Sequence, residues 1–345
     1  MLLPGGAPLT PGGAQWDDGA WFSPASEPPG DWFAYADVNV ASGATLAVAE
    51  GSKVRWEVGN TSPVKLEIVA GTSAKLDLGA NTVVFNTAPT ISAGSGSSAN
   101  FEKQGTGTLK VAFGVDASAS NFSLPANSGL LTVNGTVGNV NLASGSKLGG
   151  TGTVGNVTAS SGSTVAPGNS PGVLGGSTIR LDGGSIFEWQ VQDAKELTVN
   201  PGYDKLTLSG NLDLTHASAT NKITLKVVSL LGNGNGTDLG DPLNFDKPGT
   251  VGLRPMVFNF ATVAGNVLTN SGEQISDVFT IDVSQFTYSD GSASSAGLWS
   301  INWDSANHLV TVTAVPEPST YGFGLGALAL AAAAIRRRRK TQPKA

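Results

Sequence analysis

Apolar and polar residues alternate in two adjacent copies of a short sequence repeat near the middle of the chain. The segments Thr136–Leu148 and Thr153–Val165 are offset by 17 positions, and nine of their thirteen residues are identical or exchange one aliphatic residue for another. In the first copy Val140 and Leu142 alternate with polar neighbours, which is the period of a β-strand. The Ser-Gly pair that follows is typical of a turn. The pattern therefore predicts short strands joined by tight turns.

Units of this kind cannot bury their apolar side alone, so they stack on copies of themselves. We expect turns of chain about 4.8 Å apart, with Val and Leu facing inward and Thr, Asn and Ser facing water. The sequence thus predicts an all-β fold: a right-handed parallel β-helix, or solenoid, with a β-rich cap region and one C-terminal transmembrane helix. Spacing alone leaves a twisted antiparallel stack open.

The pattern also divides the chain into four regions. Residues 38–192 are predicted to form the β-helix repeats, and residues 193–314 either continue the solenoid irregularly or form a small β-sandwich cap. Four strands are predicted within 193–314, at residues 203–208, 222–228, 277–283 and 309–313. An N-terminal aromatic cap (1–37) and a C-terminal tail (315–345) complete the division.

Three segments rich in glycine and threonine resemble a known repeat. Gly105–Val111, Leu148–Val154 and Ala166–Gly172 carry it, and the region from about Phe101 to Gln192 resembles the autotransporter-associated β-strand repeat of bacterial surface and secreted proteins. The resemblance implies a β-helical stalk.

The last thirty residues have a different pattern, in which an extended strip, an apolar run and a cluster of cations follow one another. Pro316 fixes its own φ, and Pro318 biases Glu317 toward an extended conformation. Residues 320–335 carry no charge and predict a transmembrane helix of about 24 Å. The cations that follow favour retention on the cytoplasmic side.

This tail resembles the PEP-CTERM protein-sorting domain of envelope proteins in Gram-negative bacteria. The resemblance implies recognition by an exosortase, a membrane-embedded protease that cuts near the Pro-Glu-Pro. The sorting motif comprises Val315, Pro316, Glu317, Pro318 and Ser319, and the membrane stop comprises Arg336, Arg337, Arg338, Arg339 and Lys340. An ordinary C-terminal membrane anchor is the alternative interpretation.

Composition narrows the range of partners. The 345-residue chain has no cysteine, so it has neither a disulfide nor a thiolate metal site. The residues after Ile335 hold six cations and no acid, which leaves 14 cations against 26 acids in the rest of the chain, a net charge of −12. This charge argues against binding nucleic acid or anionic lipid. Met1–Gly6 lack the basic and apolar stretches of a secretory signal, so we expect a leader upstream of this start.

Candidate catalytic groups are few. Asp182 and Glu188 could form an acid/base pair beside a sugar-stacking Trp189, but a turn aspartate and an outward-facing strand glutamate are the favoured interpretation. His216 and His308 have no ligand at metal-binding spacing. We expect no catalytic site, no metal and no cofactor.

Aromatic residues concentrate near both ends of the body. Trp16, Trp21 and Trp32 suggest either a platform for carbohydrate stacking or, as the favoured interpretation, a plug that closes the first turn of the solenoid. Trp299 and Trp303 are predicted to share one face of a strand in a core or cap.

Together these observations predict a non-enzymatic, exported structural or adhesive protein. It is anchored transiently in the inner membrane through residues 320–335 and then reaches the cell surface, outer envelope or extracellular matrix. The expected partners are an exosortase and an exopolysaccharide. The alternatives are a β-helical carbohydrate-active enzyme, such as a polysaccharide lyase or hydrolase, and a non-catalytic carbohydrate-binding module.

Overall fold

The structure is a computed structural model that describes residues 98–315, apart from residue 200 and the segments 234–237, 246–254 and 289–293. Before residue 98 it describes the backbone of eight short strands, and side chains only in part of residues 75–88. The predicted N-terminal aromatic cap, except for the backbone of its one strand, lies outside the described residues. So do residues 316–345.

The strands form four sheets of ten, nine, eight and three strands, in which most strands pair in parallel with the one three elements later. We name the ten-stranded sheet A, the eight-stranded and three-stranded sheets together B, and the nine-stranded sheet C; one circuit through A, B and C is a rung. Sheet A contains β1 (Asp31–Phe33), β4 (Lys53–Trp56), β7 (Thr82–Phe85), β10 (Thr108–Val111), β13 (Leu130–Val133), β16 (Lys147–Gly150), β19 (Thr164–Pro167), β22 (Ile186–Val191), β25 (Ile223–Ser229) and β28 (Phe279–Gln285).

The other two sheets follow the same order. Sheet B contains β11 (Asp116–Ala117), β14 (Thr136–Val137), β17 (Thr153–Val154), β20 (Val173–Gly176), β23 (Lys205–Leu208), β26 (Met256–Val263), β30 (Leu309–Ala314) and β29 (Trp299–Asp304), and a separate set in the earlier rungs contains β2 (Val38–Val40), β5 (Leu66–Val69) and β8 (Thr90–Ser92). Sheet C contains β3 (Thr45–Ala47), β6 (Ser73–Asp77), β9 (Ala99–Gln104), β12 (Ser120–Leu124), β15 (Val140–Leu142), β18 (Val157–Ala159), β21 (Ile179–Leu181), β24 (Leu212–Asp213) and β27 (Val267–Leu268).

The predicted all-β fold with parallel sheets is therefore confirmed, and the arrangement is consistent with a β-helix. The offset of 17 residues between the two copies is the distance along the chain between paired residues of neighbouring rungs. Val140 pairs with Val157 in sheet C, and Leu148 pairs with Val165 in sheet A. One copy of the sequence repeat thus forms one rung.

The interior is built from columns in which each rung places an apolar residue under the one above. The column in sheet A is almost fully buried and consists of Val83, Leu109, Leu131, Leu148, Val165, Phe187 and Leu225. Sheet C contributes Phe101, Phe122, Val140, Val157, Ile179 and Leu212. Because successive side chains of a strand point to opposite faces, the residues between these columns face solvent.

The prediction that serine faces water is wrong at one corner of the rung. Ser128, Ser146, Ser163 and Ser185 are all buried. The Ser146 hydroxyl donates to the carbonyl of Pro125 at 2.6 Å, and Ser163 donates to the carbonyl of Ser160 at the same distance. Ser163 finds its acceptor within its own turn, whereas the acceptor of Ser146 comes from the rung before.

After residue 192 the same sheets continue, but the connections lengthen. In sheet A, Ile186 pairs with Thr224, which in turn pairs with Thr280. At the end of sheet B one strand runs in the opposite direction, since β30 pairs antiparallel with both β26 and β29. Residues 277–278, predicted as strand, belong instead to a short helix, α1 (Ile275–Val278), and a 3₁₀ turn (Ala296–Leu298) precedes β29.

A cluster of aromatic rings fills the interior at this end. Trp299 lies 5.1 Å from Phe286, 5.8 Å from Phe245 and 6.2 Å from Trp189, measured between ring centroids. Trp303, two positions beyond Ile301 on the same face of β29, packs against the edge of the core. Among the described residues no helix is long and apolar enough to cross a membrane, and the predicted span at 320–335 lies outside them.

Candidate functional site

The chain leaves the folded body directly at the predicted sorting motif. The last strand, β30, lies between β26 and β29, and Ala314 at its end is buried. The next residue, Val315, donates its backbone N–H to the carbonyl of Leu298 at 2.7 Å, and its side chain is 43% exposed. Of the predicted motif and membrane stop, Val315 alone lies within the described residues.

A second surface feature is an open groove of about 360 Å³ that crosses several rungs where the strands of sheet B end and turn toward sheet C. None of its lining residues is charged, and none is aromatic. The lining consists of two valines, Val137 and Val154, and of hydroxyl, amide and glycine residues: Ser118, Asn121, Thr136, Gly138, Asn139, Thr153, Gly155, Gly176, Ser177 and Ser209. Such a surface offers hydrogen bonds to a neutral polar ligand without the stacking that an aromatic ring provides.

One side of the groove is formed by an asparagine ladder, in which each side chain bonds the backbone of the next rung. The Oδ1 of Asn121 accepts the N–H of Asn139 at 2.8 Å, and the Oδ1 of Asn139 accepts the N–H of Asn156 at 2.8 Å. Asn156 continues the ladder by accepting the N–H of Thr178 at 3.2 Å. The ladder satisfies corner amides that have no strand partner there.

Glycine precedes asparagine in this ladder for a steric reason. A Cβ added at Gly138 would lie 2.4 Å from the Asn121 Oδ1, and one added at Gly155 would lie 2.8 Å from the Asn139 Oδ1. The Gly-Asn pair visible in both copies of the repeat was therefore the sequence signal for the ladder. The groove itself had no such signal, because its residues come from separate rungs.

The two candidate catalytic carboxylates are each held by cations. Asp182 accepts two hydrogen bonds from the guanidinium of Arg180, at 2.8 and 3.2 Å. Glu188 accepts hydrogen bonds from Lys147 at 2.9 Å and Lys226 at 3.3 Å. Partial burial raises the pKa of Glu188, but the two ammonium groups outweigh that effect and leave the pKa below its usual value. A general acid needs the opposite shift.

Trp189 is fully buried and faces the interior, on the opposite side of β22 from Glu188. Its Nε1 donates to the backbone carbonyl of Asp204 at 2.7 Å. The interpretation of Trp189 as a sugar-stacking platform beside these carboxylates is therefore wrong, because strand alternation puts it in the core.

Asp204 is a buried carboxyl group that the sequence did not single out. It accepts the N–H of Gly172 at 2.8 Å and the N–H of Gln190 at 2.9 Å, which joins the start of β20 to β22. Burial raises the pKa of Asp204 well above its usual value, although the two amide donors favour the ionised form. Its position predicts a structural role.

The histidines lie apart, each bonded locally. The Nδ1 of His216 is 3.3 Å from the Thr215 hydroxyl, and that of His308 is 3.1 Å from the carbonyls of Val263 and Gly265. No group of three His, Cys, Asp or Glu residues that could hold a metal ion occurs in the part of the chain that the structure describes. Trp16 and Trp21 lie outside that part, and of Trp32 only the backbone in β1 is described.

Comparison with known proteins identifies the tail. A family model described as the PEP-CTERM protein-sorting motif matches residues 314–339, and no match was found among curated proteins. The matched segment begins at the final residue of β30 and covers the Pro-Glu-Pro, the apolar run and the four arginines. The chain thus carries a PEP-CTERM signal, which implies an exported protein sorted by an exosortase to the cell envelope or surface.

Proposed function

We propose that this protein is a structural and adhesive component of the cell surface or extracellular matrix, built as an acidic right-handed β-helical spacer. Parallel strands joined by crossovers are almost always right-handed, which supports this hand. The observation that carries the proposal is the position of the sorting signal, which follows the last strand, β30, without an intervening linker.

The construction of the body supports a structural role. Stacked rungs satisfy their backbone groups by pairing with the rung on either side, as in the bond from the Gly145 N–H to the carbonyl of Gly162 at 2.8 Å. The aromatic cluster and the antiparallel β29–β30 pair cover the C-terminal end.

An adhesive role rests on the groove of sheet B. Its uncharged hydroxyl and amide groups match the hydrogen-bonding needs of a neutral polysaccharide, and the absence of aromatic rings from its lining favours weak, repeated contacts over tight binding. A cell-surface exopolysaccharide is therefore the proposed partner. An acidic body would repel strongly anionic polymers.

The tail acts before this function begins. In the proposed sequence of events, residues 320–335 hold the precursor in the inner membrane, Arg336–Lys340 stay on the cytoplasmic side, and an exosortase reads Pro316, Glu317 and Pro318 and cuts the chain. The cut releases the β-helical body toward the cell surface.

Cell fractionation with mass spectrometry of the C-terminus tests the processing step. The unsubstituted protein should reach the surface or medium without its arginines, whereas Pro316→Ala with Glu317→Ala should accumulate in the inner membrane at full length. Ser295→Ala, an exposed residue near the chain exit, is the matched control and should be processed normally. Full-length protein in the inner membrane for the unsubstituted chain would overturn the proposal.

Affinity electrophoresis in gels that contain the cells' own exopolysaccharide, or dextran as a neutral reference, tests the groove. Thr153→Trp should fill the groove and abolish the retardation. Thr158→Trp, on the outer face of sheet C in the same rung, should retain it. No retardation of the unsubstituted protein, or equal loss in both variants, would contradict the adhesive role. Release of sugar products that depends on Asp182 or Glu188 would instead favour the enzyme.

A further inference from the structure

The asparagine ladder leaves a line of hydrogen-bond donors along the groove. We propose that a neutral polysaccharide chain lies parallel to the axis of the solenoid along this line, and that the line continues beyond the groove to Asn211. This inference rests on the proposed adhesive role and adds the direction and the length of the polymer segment that the protein holds.

The donors arise because each ladder amide uses only its oxygen within the protein. The Oδ1 atoms of Asn139 and Asn156 accept backbone N–H groups of the following rung, and the Oδ1 of Asn211 accepts the N–H of Asn266 at 2.8 Å. Each of these amides also carries two N–H donors on its Nδ2. In the part of the chain that the structure describes, these Nδ2 groups donate to no other residue.

Thr178 takes the place of asparagine in the rung between Asn156 and Asn211. Its Oγ1 accepts the N–H of Asn211 at 3.2 Å, and its hydroxyl hydrogen can be donated outward. Successive rungs therefore each place one donor at this corner, and we name the four residues the donor row: Asn139, Asn156, Thr178 and Asn211. Three steps of about 4.8 Å between rungs give the donor row a length of about 14 Å.

The donor row begins at Asn139 because the amide before it is already engaged. The Nδ2 of Asn121 donates to the Oδ1 of Asn100 at 3.1 Å, so this ladder member has a partner within the protein for both ends of its amide. The groove covers the first part of the donor row, since Asn139 is one of its lining residues.

The other end of the donor row lies beside His308. The groove lining ends at Ser209, two positions before Asn211. The Nδ1 of His308 lies 3.1 Å from the carbonyl of Gly265, the residue before Asn266. Because the Asn266 N–H is bonded to Asn211, the exposed imidazole stands next to the last donor and closes the row.

A neutral polymer rich in hydroxyl groups fits this row. None of its four residues carries a charge, and Arg180, two positions after Thr178, is engaged by Asp182 at 2.8 Å. The oxygens of a polysaccharide recur at regular intervals and can therefore meet donors that recur once per rung. One such bond replaces a bond to water and contributes little, but several bonds to the same polymer add up.

An extended peptide fits the same line less well. Bound peptide strands obtain their specificity from pockets that hold alternate side chains. The corner beside the donor row presents glycine and hydroxyl groups instead, such as Gly155, Ser177 and Ser209.

Asparagine-to-aspartate substitutions test the donor row separately from the ladder. Aspartate keeps the oxygen that accepts the backbone N–H and removes the outward donor. In affinity electrophoresis with the cells' own exopolysaccharide, Asn139→Asp and Asn211→Asp should each weaken the apparent affinity about threefold to tenfold. Asn141→Asp adds the same charge on the outer face of sheet C in the same rung as Asn139. This control should stay within about twofold of the unsubstituted protein, because salt screens the added charge.

These variants separate the inference from the adhesive role on which it rests. Absence of retardation for the unsubstituted protein would end the adhesive role itself. Retardation that is lost in Thr153→Trp but unchanged in Asn211→Asp would remove only the inference. An equal loss in Asn141→Asp would also overturn the inference, because charge and not a missing donor would then explain the effect.

Competition by fragments of the same exopolysaccharide, fractionated by size, measures the length of the site without any substitution. The potency of the fragments should rise with their length until they span the donor row and then level off. Short fragments that compete as well as long ones would contradict an axial site of this length.

The same competition on Asn211→Asp locates the far end of the site. The potency should level off at a shorter fragment than for the unsubstituted protein, because the last donor is missing. A levelling point that does not move would show that the polymer does not reach Asn211.

Discussion

The regular stack (residues 108–191) and the closed end (residues 192–314) share the same sheets but are stabilised differently. In the regular stack, successive members of the asparagine ladder are 18 and 17 residues apart, and the step from Asn156 to Thr178 spans 22 residues. Beyond it the corresponding corner contacts span 33 and 55 residues, from Thr178 to Asn211 and on to Asn266. From Leu130 to Leu181 the buried apolar residues of the stack are aliphatic, whereas several aromatic rings meet in the closed end.

This difference follows from the number of rungs that each rung contacts. A rung inside the stack has a similar rung above and below it, so small side chains and repeated backbone bonds suffice. The end rung has a neighbour on one side only. It therefore needs large apolar side chains to fill the interior on the side where no further rung follows.

The largest loss of stability is expected from a substitution in the closed end. Trp299→Ala removes the ring that contacts Trp189, Phe245 and Phe286, and it leaves the Ser294 hydroxyl without the indole N–H that it accepts at 2.9 Å. We expect the free energy of unfolding to fall by about 3–5 kcal/mol, measured by denaturant titration. Trp303→Ala, on the half-buried edge of the same strand, is the control and should cost less than half as much. Equal losses would show that the cluster does not close the stack.

A medium effect is expected where two rungs of the regular stack approach most closely. In Gly152→Ala the new Cβ would lie 2.0 Å from the backbone carbonyl oxygen of Gly135 in the rung before. Because a backbone group cannot move aside, we expect the free energy of unfolding to fall by about 1–3 kcal/mol.

The matched change in the closed end is Gly297→Ala. Its Cβ would meet nothing closer than the Ser295 hydroxyl at 3.9 Å, so the free energy of unfolding should change by less than about 0.5 kcal/mol. Denaturant titration of both variants measures the contrast. A stack that tolerates Gly152→Ala as well as the closed end tolerates Gly297→Ala would contradict the close approach of its rungs.

The smallest expected effect lies where the two regions meet. Glu188 links Lys147 of the regular stack to Lys226 of the closed end. Its pKa is lowered on folding, so its ionised form contributes stability above the unfolded value of about 4.3, and the contribution is lost as the pH falls through the lower folded value. Glu188→Gln should therefore cost about 1 kcal/mol at pH 7 and almost nothing at pH 2.

Denaturant titration across this pH range measures the effect. Asp213→Asn, which removes an acid outside this lysine pair, is the control for the general loss of one negative charge. A difference between Glu188→Gln and the unsubstituted protein that does not change with pH would mean that packing, and not charge, joins the two regions at this point.

The sequence was most informative where neighbours along the chain are also neighbours in space. Val140 and Val157 have matching contexts, and they pair in the structure because each rung follows directly on the last. The burial of Ser146 could not be predicted, since the hydroxyl depends on an acceptor, the Pro125 carbonyl, that another rung supplies. Asp204 was missed because the amides that bind it, from Gly172 and Gln190, are distant in sequence.

By itself the sequence determined the period of the stack, the inward-facing positions of its strands and the sorting tail, because each depends on residue type at short, fixed spacing. Only the tertiary structure decided how the stack ends and what its surface presents. The reversal of β30, the burial of Trp189 and the groove at sheet B all arise from contacts between segments that belong to different rungs. Such contacts depend on which surfaces remain uncovered once the rungs have stacked, and no local pattern encodes them.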